Sequence, residues 1–145
     1  VAHSQKLASK SVSIVHLINP ADIDIRGSKA LAESVGVIMS RFDVDGNDYE
    51  FTIWCRFVNQ VEKVKGNWKL LTLEVIYQRD LIVPVPDSPP LDFSNVKDWP
   101  RKSYRFTTWH LRHRGLEVRD DLPGEDDEKS VDEMMDRNRA WINAV

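Results

Sequence analysis

The sequence predicts an α+β fold in which a strongly curved antiparallel sheet with flanking helices is followed by a helical C-terminal extension. Three observations predict it. Three long runs, Ala30 to Phe42, Tyr49 to Val64 and Trp68 to Val83, are rich in Leu, Ile, Val, Tyr and Phe and carry apolar residues on both sides of a period-two pattern. Polar turn signals at Asp43 to Asp48 and at Lys65-Gly66-Asn67 separate these runs. Past a proline-rich connector, the apolar period lengthens from two to that of a helix.

The elements follow in chain order. From Ser11 to Ile18, Val12, Ile14, His16 and Ile18 share one side of an alternating pattern and Val15 and Leu17 the other, which predicts the first strand. Asn19-Pro20-Ala21-Asp22 turns the chain, and Ile23 and Ile25 alternate with Asp24 and Arg26 in a short strand that Gly27-Ser28 ends. In the first long run Leu31, Val35, Val37 and Met39 share a face, while small residues line the other and Gly36 predicts a bulge or bend. In the second, Phe51, Ile53, Cys55 and Phe57 oppose Thr52, Trp54, Arg56 and Val58. Runs this far beyond the usual strand length of about 5–6 residues must twist and curl, so the sheet is expected to be curved. Pro84 to Pro100 is read as an irregular, semi-rigid connector. Pro100 is expected to start a first helix, marked by Tyr104, Thr107, Thr108 and Leu111 and stopped by Gly115. Asp126 or Asp127 caps a second, whose stripe is Val131, Met134, Met135, Asn138, Trp141, Ile142 and Val145. Residues 1–83 are thus the expected core of one domain, and 84–145 its connector and two-helix extension.

Composition narrows the function. At 145 residues, 41% hydrophobic and 30% charged, the chain has the make-up of a globular domain. No apolar stretch reaches the roughly 20 residues that span a bilayer, and Val1 to Lys10 lacks the apolar centre of a signal peptide, so no membrane partner is expected; the lone cysteine fits a reducing compartment, and a cytoplasmic location is expected. A net charge of −3 argues against a nucleic-acid surface. The one basic run, Arg101 to Arg114, is interleaved with aromatics and reads first as a solvated helix face and second as an RNA contact. Cys55 is the single cysteine, which excludes an internal disulfide and a thiolate zinc cluster. His110 and His113 stand i, i+3 but have no carboxylate at helical spacing, so no metal is expected. Neither a phosphate-binding glycine loop nor a serine nucleophile elbow occurs, so no nucleotide cofactor or acyl-enzyme is expected.

Several segments together resemble the SnoaL-like branch of the nuclear transport factor 2-like superfamily. They are Val15-His16-Leu17-Ile18, Ile23 to Ala30, Trp54-Cys55-Arg56-Phe57, Gly66-Asn67-Trp68-Lys69-Leu70, Ile76-Tyr77-Gln78-Arg79-Asp80 and, in the tail, Lys102 to Phe106, Arg114-Gly115 and Asp121 to Asp127. The resemblance implies a cone, a bent sheet around a pocket closed by helices. Such proteins begin with two or three helices, whereas only Val1 to Lys10 precedes the first strand here. The reading is therefore of a fragment, or of a chain whose exposed apolar face a partner subunit covers, as in a homodimer.

The resemblance also implies cofactor-independent chemistry: an isomerase, dehydratase or cyclase acting by acid and base on a carbonyl-bearing or polycyclic metabolite, of the kind found in secondary metabolism. His16, between Ile14 and Ile18, matches a strand position where SnoaL-like dehydratases and cyclases place a histidine acid or base, and imidazole is the side chain suited to proton transfer near neutral pH. A core histidine satisfied by backbone is the alternative. Asp80 is the second catalytic candidate, a base if buried and a rim ion pair if exposed. Tyr77 is the third, a donor to an enolate oxygen. Trp54, on the neighbouring strand, is expected to wall a pocket with Tyr77 for a small apolar or aromatic metabolite, with Ile14 and Ile18 beside it. Arg56 shares the face of Trp54 and, if inward, needs an anionic ligand or a carboxylate partner. A non-catalytic ligand-binding or dimerisation module on the same fold is the rival reading.

Overall fold

Asp45-Gly46 and Lys65-Gly66 each place two successive residues at positive φ, 53° and 82° in the first pair and 50° and 82° in the second. This is the backbone of the two-residue hairpin turn whose twist matches that of the flanking strands. The computed structural model describes residues 13–144, and in it these turns join three long strands. The strands are β1 (Ser13–Ile18), β2 (Asp22–Arg26), β3 (Lys29–Val44), β4 (Asn47–Val64) and β5 (Asn67–Pro84). Ser11 and Val12 of the expected first strand, and Val145 of the second helical stripe, lie outside the described residues.

All pairings are antiparallel, in the order β1-β3-β4-β5, with β2 also on β3. β1 lies against Gly36 to Arg41 and β2 against Lys29 to Glu33, so the two form one edge interrupted at Asn19-Pro20-Ala21. Pro20 has no N–H to give a ladder. The Asn19 N–H still donates to the Val35 carbonyl at 2.9 Å, which holds the interruption to the sheet.

Gly36 makes no bulge; it stays in register with Cys55. Its role is close approach, since a Cβ there would stand 2.6 Å from the Phe57 ring and 3.1 Å from the Leu17 carbonyl oxygen. The bulges lie in β5 instead. Trp54 faces Arg79 while Cys55 faces Tyr77, which leaves Gln78 as the extra residue, and between Gln60 and Val61 the extra residue is Leu71. Each bends the strand and increases its local twist.

The first face of the sheet carries Phe42, Val44, Tyr49, Phe51, Ile53, Cys55, Phe57 and Ile82 in one buried cluster. Leu91 and Phe93 of the connector and Phe106 and Trp109 of the first helix pack on it. That helix, α1 (Arg105–His113), starts later than Pro100 predicts. The Lys102 N–H and the Ser103 hydroxyl both donate to the Asp126 carboxylate at 2.6 Å, holding the intervening residues out of the helix. α1 ends with the Gly115 and Leu116 N–H groups on the carbonyls of Arg112 and Leu111, with Gly115 at φ 72°.

The second helix, α2 (Glu128–Asn143), is capped by Asp127, whose side chain accepts from the Ser130 N–H. It covers part of the second face, where Met134 meets Val58 and Ile76 in a fully buried trio flanked by Leu31, Val131 and Met135. Asn138 sits in the same stripe because every polar atom finds a partner. Its amide donates to Glu74 at 2.7 Å and to the Met134 carbonyl at 2.9 Å, and its oxygen accepts from Gln60 at 2.9 Å. At the far end Lys29 donates to the carbonyls of Trp141 and Ala144, tying α2 to the β2–β3 hairpin. Among the described residues no helix is long and apolar enough to cross a membrane.

Candidate functional site

The bulge at Gln78 decides which side chains meet on β5. In an uninterrupted strand Tyr77 and Asp80, three residues apart, would point to opposite faces. With one residue left over between them, Tyr77 falls opposite Cys55 and Asp80 opposite Ile53, both on the first face. There α1 covers them. The Asp80 Oδ2 accepts from the Thr107 N–H at 2.5 Å and from the Thr107 hydroxyl at 2.7 Å, while its Oδ1 is buried with no partner. Tyr77 lies against Tyr104, ring centroids 5.0 Å apart.

Electrostatics follow from this enclosure. Burial raises the Asp80 pKa and outweighs the opposing bonds from Thr107 and the nearby Arg105. Burial also raises the Tyr77 pKa, with smaller contributions from Cys55, Tyr104 and Asp80. Cys55, fully buried, is pushed up to about 11 by desolvation, so its thiol is inert packing. Next along α1 is His110, one turn beyond Thr107 and edge-on to Phe42, 4.4 Å between centroids, with Phe51 at 4.9 Å. Burial, then the charges of Arg114 and His113, lower it to about 4. It is neutral at pH 7. Arg114 approaches its Nε2 at 3.5 Å, and its Nδ1 is buried without a partner. In the sequence His110 stands out by its spacing from His113, which points to metal binding and not to this packing. The available signal was its place one turn after Thr107, on the stripe that faces the sheet.

The residues picked from sequence divide between the two faces. His16 pairs with Ile38, Ile38 with Ile53 and Ile53 with Asp80, so His16 and Asp80 end one cross-strand row of the first face. The row spans three strand intervals, roughly 14 Å along the sheet. His16 is exposed on the edge strand, as are Ile14 and Ile18 on the same face. Trp54 and Arg56 stand on the second face, opposite Arg79 and Ile76. A pocket walled jointly by Trp54 and Tyr77 is therefore corrected: the pleat of the sheet separates them. Trp54 is covered by the Arg79 guanidinium, 4.3 Å from its ring, and Arg56 finds its carboxylate in Glu33, Nε to Oε1 2.8 Å. Among the described residues no three His, Cys, Asp or Glu side chains are grouped to hold a metal ion.

A second polar cluster locks the tail onto this site. Arg101 donates to Asp126, to the Tyr104 hydroxyl at 3.1 Å and to the carbonyls of Asp120 and Leu122. Burial opposes ionisation of Asp126, but its bonds from Arg101, Ser103 and the Lys102 N–H prevail and hold its pKa well below the usual range. Gly124 then pairs in parallel with Tyr77: the Tyr77 N–H donates to Pro123 and the Glu125 N–H to Tyr77.

A long antiparallel sheet with a broken edge, helices against both faces and polar groups seated among aromatics make an α+β domain. The model of the SnoaL-like domain family matches residues 1–74, and the chain belongs to this family, within the nuclear transport factor 2-like superfamily. It is similar to Pea pathogenicity protein 2 of Fusarium vanettenii, 27% identical over 128 residues, which are 86% of this chain and 55% of that protein. It is also similar to a PEP2-like protein of the same fungus, 30% identical over 106 residues, 71% of this chain and 45% of the relative. The chain spans about half the length of these curated relatives.

Proposed function

We propose that the first face of the sheet is a cofactor-independent acid/base site of SnoaL type, acting as an isomerase, dehydratase or cyclase on a carbonyl-bearing or polycyclic metabolite. One observation carries the reading: the Asp80 carboxylate is pinned through one oxygen by Thr107 while the other is buried and unpartnered. A carboxylate raised by burial is a stronger base than one in water, and the unpartnered oxygen is the atom that accepts a proton from the carbon beside a carbonyl. Tyr77, on the same face, donates to the enolate oxygen. His16 ends the same row and returns a proton to the far side of a ring system long enough to reach it. On this reading the protein is a cytoplasmic homodimer, two copies burying apolar residues of the sheet.

Deuterium exchange into 2-tetralone, followed by proton NMR in D₂O, tests the chemistry. Exchange faster than buffer alone is expected, falling about 10²-fold or more in Asp80→Asn with the fold intact by circular dichroism. No acceleration over buffer by the wild-type protein would overturn it for this substrate class. A second reading, a non-catalytic ligand-binding or dimerisation module, is favoured by the same bonds, since Asp80 also satisfies an N–H in the first turn of α1. That reading predicts a lower melting temperature for Asp80→Asn with no catalysed exchange in either protein.

A further inference from the structure

The surface of α1 turned away from Asp80 carries a different set of groups. Trp109, Arg112 and His113 of α1, with Asn95 and Trp99 of the connector, line a cleft of about 440 Å³. It is an open groove on the surface, not an enclosed cavity. Its walls are planar and paired. The Arg112 guanidinium lies 5.0 Å from the Trp99 ring, and the His113 imidazole stacks on Trp109 with centroids 5.1 Å apart and planes 3° from parallel. Trp109 is itself set edge-on against Phe93, 5.3 Å away at 79°, so this wall is rooted in the buried cluster and cannot swing freely.

The cleft offers one guanidinium, in a protein whose net charge is negative. Residues 99–116 contain Arg101, Lys102, Arg105, Arg112 and Arg114 and no Asp or Glu, in a chain of net charge −3. Four of these cations sit outside the cleft. Arg112 lines it, and among the described residues it has no hydrogen bond or ion pair to a carboxylate. A guanidinium held over an indole ring, with no carboxylate of its own, has N–H groups to offer a ligand.

We propose that this cleft binds a planar aromatic carboxylate: the ring lies between the Arg112–Trp99 and His113–Trp109 pairs, and the carboxylate takes a bidentate pair of hydrogen bonds from Arg112, with the Asn95 amide beside it. A single carboxylate suits the site because one guanidinium, not a cluster, is offered. The site is independent of the Asp80 chemistry, from which α1 separates it.

Isothermal titration of the full chain with 2-naphthoate tests the assignment, beside 2-naphthylmethanol, which keeps the rings without the charge, and cyclohexanecarboxylate, which keeps the charge without the aromatic face. Saturable 1:1 binding of 2-naphthoate is expected, about tenfold or more weaker for both controls and for Arg112→Gln, the loss of a charge-assisted hydrogen bond. Arg112 is exposed, so the variant keeps its fold, and Trp99→Leu supplies a second lesion on the opposite wall. Absence of saturable binding at millimolar naphthoate, equal binding of the alcohol, or indifference to both substitutions would overturn the proposal. Tighter Arg112-dependent binding of oligouridylate would overturn it too, by making the surface a nucleic-acid contact.

Discussion

His110 shows how one side chain sets a pH dependence. Its folded pKa, about 4, lies below the value near 6.5 of the unfolded chain, so between these limits the unfolded state binds more protons. Stability therefore rises with pH across this window and, on the low side, is lost as pH falls from 6.5 towards 4. The span is on the order of 3 kcal/mol. Urea melts at pH 7 and pH 4.5 should show this loss in the wild type and its absence in His110→Leu, which leaves no imidazole to charge between the Phe42 and Phe51 rings. Gly124 sets a steric limit in the same region. A Cβ there would stand 2.1 Å from the Ser103 hydroxyl and 2.9 Å from Asp126, in the middle of the cluster that holds Arg101. Gly124→Ala should cost about 1–3 kcal/mol by overpacking, read as a lower urea midpoint.

At the scale of elements, α2 depends on a small contact. Met134 is fully buried against Val58 and Ile76, and truncation to Ala should cost about 2–5 kcal/mol in chemical denaturation. Most of this architecture was legible in the sequence, because local patterns dictate it: alternation marks the first four strands and Leu, Ile, Val and Tyr content the fifth, Asp-Gly and Lys-Gly mark the long hairpins, and Asp126 or Asp127 with the Val131–Met134–Asn138 spacing marks α2. Four features were not. The start of α1 depends on Asp126, far along the chain, taking the Lys102 N–H and the Ser103 hydroxyl. Gly36 predicts a bulge or bend from sequence, but a glycine in a strand also permits a close approach, and only the position of the Phe57 ring shows the latter. Thr107 as the partner of Asp80, and His110 beside it, join residues that no local pattern connects. Trp54 and Tyr77 were placed together because neighbouring strands were identified but not their phase.

For the whole molecule the distribution of apolar surface is uneven. α1 and the connector cover one end of the first face, and α2 covers part of the second, yet Ile14, Val15, Leu17, Ile18, Ile23, Ile25, Leu70, Leu71 and Leu73 are exposed among the described residues. Apolar area of this kind marks an interaction surface. On the proposed homodimer reading, sedimentation velocity of the chain at tens of micromolar should show concentration-dependent association, reduced in the double substitution Ile23→Lys, Ile25→Lys. Because both side chains are exposed, the melting temperature of that variant at low protein concentration should stay within about 2 °C of wild type, the range of a surface change near 0.5 kcal/mol.

Gln78 has a consequence for how this strand tolerates change in length. It is the surplus residue between the pairs Trp54–Arg79 and Cys55–Tyr77, and on either side of it the alternation restarts as if it were missing. In the language of a repeating code it is a one-letter frameshift that the sheet has already absorbed. Removing it would straighten the strand and forfeit the Gln78–Glu125 bond, yet it would leave Tyr77 and Asp80 on the face they now share. Parity counted straight through position 78 misassigns one half of β5, and relatives one residue shorter here would align correctly only with a gap placed at that position.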